Sequence, residues 1–256
     1  MSLDRILVIV PTYNEAENIE SIVARIRDSV PTAHVLIADD NSPDGTGDLA
    51  DAIAADDDCV HVLHRPGKQG LGAAYLAGFD WGLARNYDVL VEHDADGSHL
   101  PEQLPRLLSA LAEADMVKGS RWIPGGKVVN WPKSRQLLSR GGSLWVQFWL
   151  GIPVRDSTGG LNAFRASTLR AIDLASVDSA GYVFQIDLTW RTLQRGLRVR
   201  EVPITFVERE HGASKMNRGI VVEALLQTAR WGIRHRLGQV RDLIRKLVGK
   251  PRRAAD

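Results

Sequence analysis

The chain has 256 residues, 44% hydrophobic and 25% charged, enough for one large domain with a well-buried core, and this composition excludes a disordered, collagen-like or disulfide-stapled protein. The net charge of +1 conceals an asymmetry: residues 219–256 carry nine Lys or Arg against three acids, a net +6, which leaves −5 on the rest. A basic tail on a mildly acidic body calls for an anionic partner at one end only.

The first half alternates between two hydrophobic periods, the mark of strand–helix–strand units and a largely parallel sheet. Arg5–Val10 (RILVIV) is a β-branched run suited to a strand covered on both faces. Ile19, Ile22, Val23, Ile26 and Val30 then recur at helical spacing, after Asn14 and Glu15. A second strand is predicted over Val35–Ala38, a second helix over Thr46–Ala55 and a third strand over Val60–Leu63. A third helix over Leu71–Ala84 and a fourth strand over Asp88–Glu92 follow. Cys59, the single cysteine, excludes an internal disulfide, fits a reducing cytosol and reads as a small buried hydrophobe at a strand edge. The second half is less regular, with glycine pairs at 125–126, 141–142 and 159–160 and four tryptophans (Trp122, Trp131, Trp145, Trp149) within 28 residues. The longest nearly apolar stretch, Ser143 to Val154, is broken by Gln147 and is shorter than the roughly 20 residues of a membrane-spanning helix. The start of the chain runs directly into strand-like residues, which predicts no secretory signal.

In open α/β sheets ligands lie beyond the carboxyl ends of the strands. The loops to read are therefore Pro11–Glu15, Asp39–Gly45 and His93–Ser98. No glycine occurs before Gly45, so the G-x-G-x-x-G loop of a dehydrogenase is missing after strand one. Asp94 and Asp96 follow an apolar strand and precede Pro101, which suits a helix start. Two carboxylates one residue apart can converge on a hard divalent cation and leave its other positions for water and phosphate oxygens. Such a string is weak alone; its place at a strand end, beside Asp39 and Asp40, gives it weight. Asp40 is a candidate for a base or ribose contact, although D-D-N-S-P-D-G is also rich in turn formers. Lys68 offers a cation near phosphate, yet its glycine spacing is not a Walker loop and equally suits a helix start.

Nine strings together resemble the polyprenol-phosphate (dolichol-phosphate) mannosyltransferases of the inverting glycosyltransferase family 2, with the closest likeness to the actinobacterial enzymes. They are PTYNE (11–15), DDNSPDGT (39–46), GKQGLGAAY (67–75), DADGSHLPE (94–102), GSRW (119–122), SRG (139–141), DSTGGLNAFR (156–165), GYVFQ (181–185) and VPITFVERxxGxSK (202–215). The resemblance spans residues 5–217 and implies one glycosyltransferase A-type, Rossmann-like α/β domain, with a mostly parallel central sheet flanked by helices. It implies a GDP-mannose donor, a Mg²⁺ or Mn²⁺ ion and a polyprenyl phosphate acceptor. By matching position, Pro11, Tyr13, Glu15 and Asp40 line the nucleotide site, with Lys68 nearby, and Asp94 and Asp96 hold the metal on the diphosphate. Ser98 stands where some members place a metal-touching Gln. Arg121, Arg135 and Arg209, with Ser214 and Lys215, match basic positions around the two phosphates, and Arg140 is a further candidate for the acceptor phosphate. The catalytic set is then Asp96, Arg121, Arg209 and Lys215.

Physical chemistry supports those cations separately. Arg grips phosphate through a planar fork, whereas Lys acts as a point charge. An attacking phosphate monoester already carries about −1.5 to −2 at neutral pH, so the site must offset repulsion rather than abstract a proton. No nucleophile–His–acid arrangement is evident. His93, His99 and His211 show no ligand-type spacing.

Leu137, Leu138, Leu144, Trp145, Phe148, Trp149, Leu150 and Ile152 form an apolar cluster after Lys133, Arg135 and Arg140, which suits either a helix in the headgroup region or a core helix. Ile233, Leu237, Val240, Ile244 and Leu247 give one apolar face to a helix whose other faces are basic. That helix suits an anionic leaflet, packing on the domain, or pairing with another chain. No nucleic-acid motif accompanies it. The expected organisation is a catalytic domain over residues 1–218 and a basic amphipathic helix and tail over 219–256. The expected location is the cytoplasmic membrane face, in peripheral contact with anionic lipid and with room for a membrane-anchoring protein or domain. Two rivals stay open at this point: a UDP-glucose-dependent polyprenyl-phosphate glucosyltransferase, and a non-catalytic membrane scaffold that senses nucleotide sugars.

Overall fold

The computed structural model describes residues 4–177, 182–208 and 218–248. The chain runs β1 (Ile6–Thr12), α1 (Ile19–Ser29), β2 (His34–Asp39), α2 (Thr46–Asp56), β3 (Val60–His64), α3 (Leu71–Ala84) and β4 (Val89–Glu92). A 3₁₀ turn at Pro101–Gln103 leads into α4 (Leu104–Ala110), followed by β5 (Met116–Ser120), β6 (Lys127–Val129) and α5 (Lys133–Leu150). Then come β7 (Asn162–Arg165), α6 (Ala166–Ala171), α7 (Tyr182–Gln194), β8 (Val199–Pro203), β9 (Thr205–Val207) and α8 (Arg218–Val248). The elements expected in the first half are present, with ends moved by at most two residues. β1 extends through Pro11 to Thr12 and β2 ends on Asp39, so both chemical loops start directly at the sheet's carboxyl edge. Cys59 sits just ahead of β3 and is only partly buried.

The seven-stranded sheet has the order β3-β2-β1-β4-β7-β5-β8 and is parallel except for β7, which runs antiparallel between β4 and β5. β6 and β9 pair separately. Alternation along β1 sends Val8 and Val10 to one face and Leu7 and Ile9 to the other. The first face packs on Ile19, Ile22, Val23 and Ile26 of α1 and on Leu107 of α4. The second packs on Tyr75 and Phe79 of α3 and on Phe184 and Leu188 of α7. Each such side chain, fully buried, contributes about 1.5–3 kcal/mol. Gly78 and Gly82 leave room for α3 to pack directly on the sheet. A Cβ on Gly78 would stand 2.5 Å from Ile9, and one on Gly82 would stand 2.7 Å from Leu90 and 2.8 Å from Leu7.

α5 and α8 pack together beside α7, with Trp190 stacked on Trp231 at 5.6 Å. α5 divides its residues between the two environments weighed from sequence: Val146 and Leu150 are buried, whereas Leu137, Leu144 and Phe148 are 63–74% exposed. On α8, Leu226 and Leu237 are likewise exposed. The side chains of Val240, Ile244 and Leu247 lie outside the described residues. No helix among the described residues is long and apolar enough to cross a membrane.

Candidate active site

Strand order reverses between β1 and β4, which opens a crevice at their carboxyl ends. The Pro11–Glu15 and His93–Ser98 loops flank it, and the Asp39–Gly45 loop stands one strand further out. Lys68, from the loop before α3, places its ammonium 4.2 Å from the centre of the Tyr13 ring, so these two candidates do come together. The amide of Asn18 donates to Glu15 Oε2 at 2.8 Å, and the Glu15 N–H donates to Thr46 Oγ1 at 3.0 Å, tying the first loop to the start of α2.

The two neighbouring aspartates differ in use. Asp39 is consumed by its own surroundings: Thr12 Oγ1 donates to Oδ1 at 2.9 Å and the Ser42 N–H to Oδ2 at 3.0 Å. Asp40 forms a buried ion pair with Arg65, the residue directly after β3, and Arg65 also donates to Gln69 Oε1 at 3.2 Å. Sequence reading missed Arg65; its signal was its place at the end of the strand adjoining Asp40.

Asp94 and Asp96 occupy the loop after β4. The hydroxyl of Tyr75 donates to Asp94 Oδ1 at 2.9 Å, and Asp96 Oδ1 accepts the Ser98 N–H at 3.0 Å. Burial, followed by the charges of Asp94 and Glu92, raises the Tyr75 phenol well above its usual range, so it stays protonated. His99 Nδ1 lies 3.5 Å from Asp94 Oδ2, and both ring nitrogens of His99 are buried without a hydrogen-bond partner. Burial lowers His93 and His99 to about 4, which keeps both imidazoles neutral. Among the described residues no three His, Cys, Asp or Glu side chains gather into a closed cage. The two Asp carboxylates, with Asp94's side chain 28% exposed, therefore suit a hard oxygen-loving ion that keeps waters, not a structural zinc.

Beneath this loop a polar row crosses the sheet. Glu92 of β4, Asn162 of β7, Lys118 of β5 and Glu201 of β8 stand at facing positions on adjacent strands. Asn162 Nδ2 donates to Glu92 Oε2 at 2.6 Å, and Lys118 Nζ donates to Asn162 Oδ1 at 2.7 Å. Glu201 accepts from the backbone N–H groups of Arg155 and Asp156. Burial pushes Glu92 up to about 8 and Lys118 down to about 8.

Arg121, immediately after β5, is placed differently from the sequence expectation of a fork presented to phosphate. Its Nε and Nη2 each donate to a carboxylate oxygen of Asp156 at 2.7 Å, and Nη2 also reaches Thr158 Oγ1 at 3.0 Å. Burial raises the Asp156 pKa, but the Arg121 charge and its hydrogen bonds outweigh that and hold the carboxyl below its usual range. Those two nitrogens serve a protein carboxylate because Asp156, fully buried, needs a paired charge.

Arg121, Thr158, Trp131 and Arg135 form one end of a cavity of about 540 Å³, which continues between α5 and α8 along Leu138, Trp145, Val146 and Leu225. Arg135 lies 4.0 Å from the Trp131 ring centre and donates to Glu208 Oε1 at 2.6 Å, and its Nε is buried without a partner. Arg140 is exposed, with its guanidinium 4.6 Å from the centre of the Trp122 ring. Arg209, His211, Ser214 and Lys215 lie outside the described residues. The cavity and the aspartates are joined by a short stretch of chain: Thr158 lines the cavity, and a Cβ on Gly160 would stand 3.4 Å from Asp94 Oδ2. Tyr75, Asp156 and Thr158 were invisible as site residues because their partners are 19 to 37 positions away.

A mostly parallel sheet flanked by helices, with an acidic crevice at its switch point, defines a glycosyltransferase domain of the A type. Residues 7–173 match the family model described as glycosyl transferase family 2. The undecaprenyl-phosphate mannosyltransferase of Micrococcus luteus is 60% identical over 229 residues, 90% of this chain and 94% of that protein. The polyprenol monophosphomannose synthase of Mycolicibacterium smegmatis is 57% identical over 243 residues, 94% and 92% of the two chains. Glucosyl-3-phosphoglycerate synthase of Mycobacterium tuberculosis, solved with Mn²⁺, UDP and glucosyl-3-phosphoglycerate, shares the fold at a TM-score of 0.66 and 22% identity, over 88% of this chain and 80% of that one. The chain belongs to glycosyl transferase family 2, among its polyprenyl-phosphate mannosyltransferases.

Proposed function

We propose that this protein transfers mannose from GDP-mannose to a polyprenyl phosphate with inversion, at the cytoplasmic face of a membrane. The observation that carries the reading is the Thr158–Gly160 connection. It sets a carboxylate pair suited to a donor diphosphate beside an apolar cavity whose inner end is lined by Arg121 and Arg135. A lipid phosphate needs both features: cations for its head and a greasy slot for its chain.

In the reaction an acceptor phosphate oxygen forms a bond to the sugar's anomeric carbon while the bond from that carbon to the donor's β-phosphate oxygen breaks. GDP leaves, and a single displacement inverts the centre. No side chain needs to take a proton, because the acceptor is already an anion. Tyr13, Pro11, Glu15, Lys68 and Asp40 line the nucleotide side. Asp94 and Asp96 would hold a Mg²⁺ or Mn²⁺ ion, which when bound neutralises the departing diphosphate. The buried Nε of Arg135 offers an N–H to the incoming phosphate, and Arg121, its charge shared with Asp156, stands at the same end of the cavity. Arg140 stands nearby as a second cation, and Arg209, Ser214 and Lys215 complete the set assigned from sequence.

The exposed residues Leu137, Leu144 and Phe148 on α5 and Leu226 and Leu237 on α8, with Lys133, Arg140, Arg230 and Arg234 also exposed, suit an interfacial surface on anionic lipid. The test incubates the protein and Mn²⁺ with a short polyprenyl phosphate and either labelled GDP-mannose or labelled UDP-glucose. Label in the extracted lipid from GDP-mannose supports the reading; label only from UDP-glucose reassigns the donor. Label from neither, with folded nucleotide-binding protein, returns the molecule to a scaffold. Asp96→Asn should stay folded and lose about 100-fold or more in turnover, since the metal supplies several kcal/mol of charge stabilisation.

A further inference from the structure

Asp94 stands on a loop, and a loop carboxylate has several rotamers open to it. One restraint on it comes from another element altogether. The Tyr75 hydroxyl reaches Asp94 Oδ1 at 2.9 Å from inside the core, and Tyr75 is fully buried. Its ring lies parallel to Phe184 of α7 at 6.2 Å and is stacked with Phe79 one turn along α3 at 6.4 Å. Gly78 and Gly82, on the same side of α3 as Tyr75, let the helix sit against Ile9, Leu90 and Leu7. A side chain in either place would lift α3 from the sheet and carry the hydroxyl out of reach. The aromatic contacts fix the ring, the glycines fix the helix, and one hydrogen bond hands that rigidity to the carboxylate.

We propose that Tyr75 is a positioning residue that sets the orientation of Asp94 for the divalent ion. It touches neither substrate nor ion and acts only through Asp94. The inference rests on the metal reading given above. Partners of this kind, which orient a ligating carboxylate, change metal affinity by about 10–100-fold when removed. A residue that only filled space would leave metal affinity unchanged when its ring is kept.

Tyr75→Phe keeps the ring and removes one oxygen. The measurement is Mn²⁺ binding in the presence of GDP, read as loss of the free-ion electron paramagnetic resonance signal, with thermal unfolding recorded alongside. The expected result is a 10–100-fold rise in the Mn²⁺ Kd, with the half-saturating Mn²⁺ for turnover rising in step and kcat largely restored at saturating ion. Phe79→Leu, which loosens the same aromatic stack without touching Asp94, should lower stability and leave the Mn²⁺ Kd in place. In an Asp94→Asn background, Tyr75→Phe should add no further loss. Equal Mn²⁺ affinity for folded wild type and Tyr75→Phe overturns the proposal and leaves the metal reading standing. Wild type that takes up no Mn²⁺ with GDP overturns the metal reading, and the proposal with it.

Discussion

The guanidinium of Arg121 meets the carboxylate of Asp156 edge to edge, with Nε and Nη2 each 2.7 Å from one oxygen, and neither side chain is more than 6% exposed. Removing one member of such a pair strands the other charge in the interior. Asp156→Ala should therefore destabilise the protein by about 3–5 kcal/mol, whereas Arg121→Met combined with Asp156→Leu should cost distinctly less. Urea unfolding at pH 7 measures both. Near-equal stability of wild type and Asp156→Ala would mean that the pair is solvated and that Arg121 is available to bind phosphate by itself.

Asp40 gives a test of the base. A carboxylate only accepts hydrogen bonds, and guanine offers two N–H groups side by side, at N1 and N2. Arg65 holds that carboxylate in place. Asp40→Asn turns one acceptor into a donor, so it should weaken GDP by about 10–100-fold, from roughly 1–3 kcal/mol for a mismatched polar contact. The same variant should bind xanthosine diphosphate, which has an oxygen at position 2, more tightly than wild type does. Calorimetric titration of both nucleotides on both proteins reads the exchange. Damage to the fold cannot produce a gain, so the xanthosine arm is decisive; unchanged preference removes Asp40 from the base.

Leu144 and Phe148 share one face of α5 and are each 63% exposed. If that face enters a leaflet, Phe148→Ser and Leu144→Ser should each weaken binding to anionic vesicles by about tenfold, the equivalent of roughly 1.5 kcal/mol of lost apolar burial. Co-sedimentation measures this, and thermal unfolding should barely change because neither residue packs in the core. Deleting residues 219–256 should weaken the same binding. Vesicle binding that survives both serine variants would place the contact elsewhere.

At the amino end of β2, His34 Nδ1 lies 3.1 Å from His61 Nε2 and 2.8 Å from the Tyr87 hydroxyl. Burial, then the charges of Arg5 and Arg27, lowers the pKa of His34; burial, then His34 and Arg85, lowers that of His61. At these two sites the unfolded chain binds more protons than the folded one below pH about 6.5, so their contribution to stability declines as pH falls. His93 and His99, lowered to about 4, act in the same direction between about pH 6.5 and pH 4. Glu92, raised to about 8, acts in the opposite direction from about pH 8 down to pH 4.5, so the histidine contribution is read as a difference: from pH 8 to pH 5, His61→Phe, able to keep the ring contact with Trp81, should lose less thermal stability than wild type, or gain more. An identical slope in that variant would show that the His34–His61 contact carries none of it.

Four strands and three helices were readable in the sequence because each is a local apolar run or a hydrophobic period bounded by turn-forming residues. β1 and β2 are runs of Val, Ile and Leu, and α1 places Ile19, Ile22, Val23 and Ile26 on one side. The later strands have no such signal. β5 (MVKGS) is interrupted by a lysine that looks exposed yet is fully buried, and β7 (NAFR) is four residues long with a polar first position. Met116, Val117, Ala163 and Phe164 do join the core, but the polar positions between them are buried only because Lys118 and Asn162 bond to each other, which no local window reveals. The same limit applies to the site. Asp94 and Asp96 could be picked out because a strand end and a spacing mark them. Tyr75 could not, because its polar role depends on where a helix lands after folding. α5 was ambiguous for a further reason: its apolar residues serve two faces, and one-dimensional spacing does not say which of them is covered.

The polar row through Glu92, Asn162 and Lys118 also acts as an alignment key. β7 enters between β4 and β5 against the direction of both, and its short length offers little apolar pairing to choose among slid arrangements. Sliding it by one position would turn Asn162 to the opposite face and leave an acid and an amine unmatched in the dry interior, a penalty of several kcal/mol. Only the native alignment puts Asn162 Nδ2 on Glu92 and Asn162 Oδ1 on Lys118. Polar groups that look like a liability in the middle of a sheet thereby reject misassembled alternatives at the seam where the later strands join the first four.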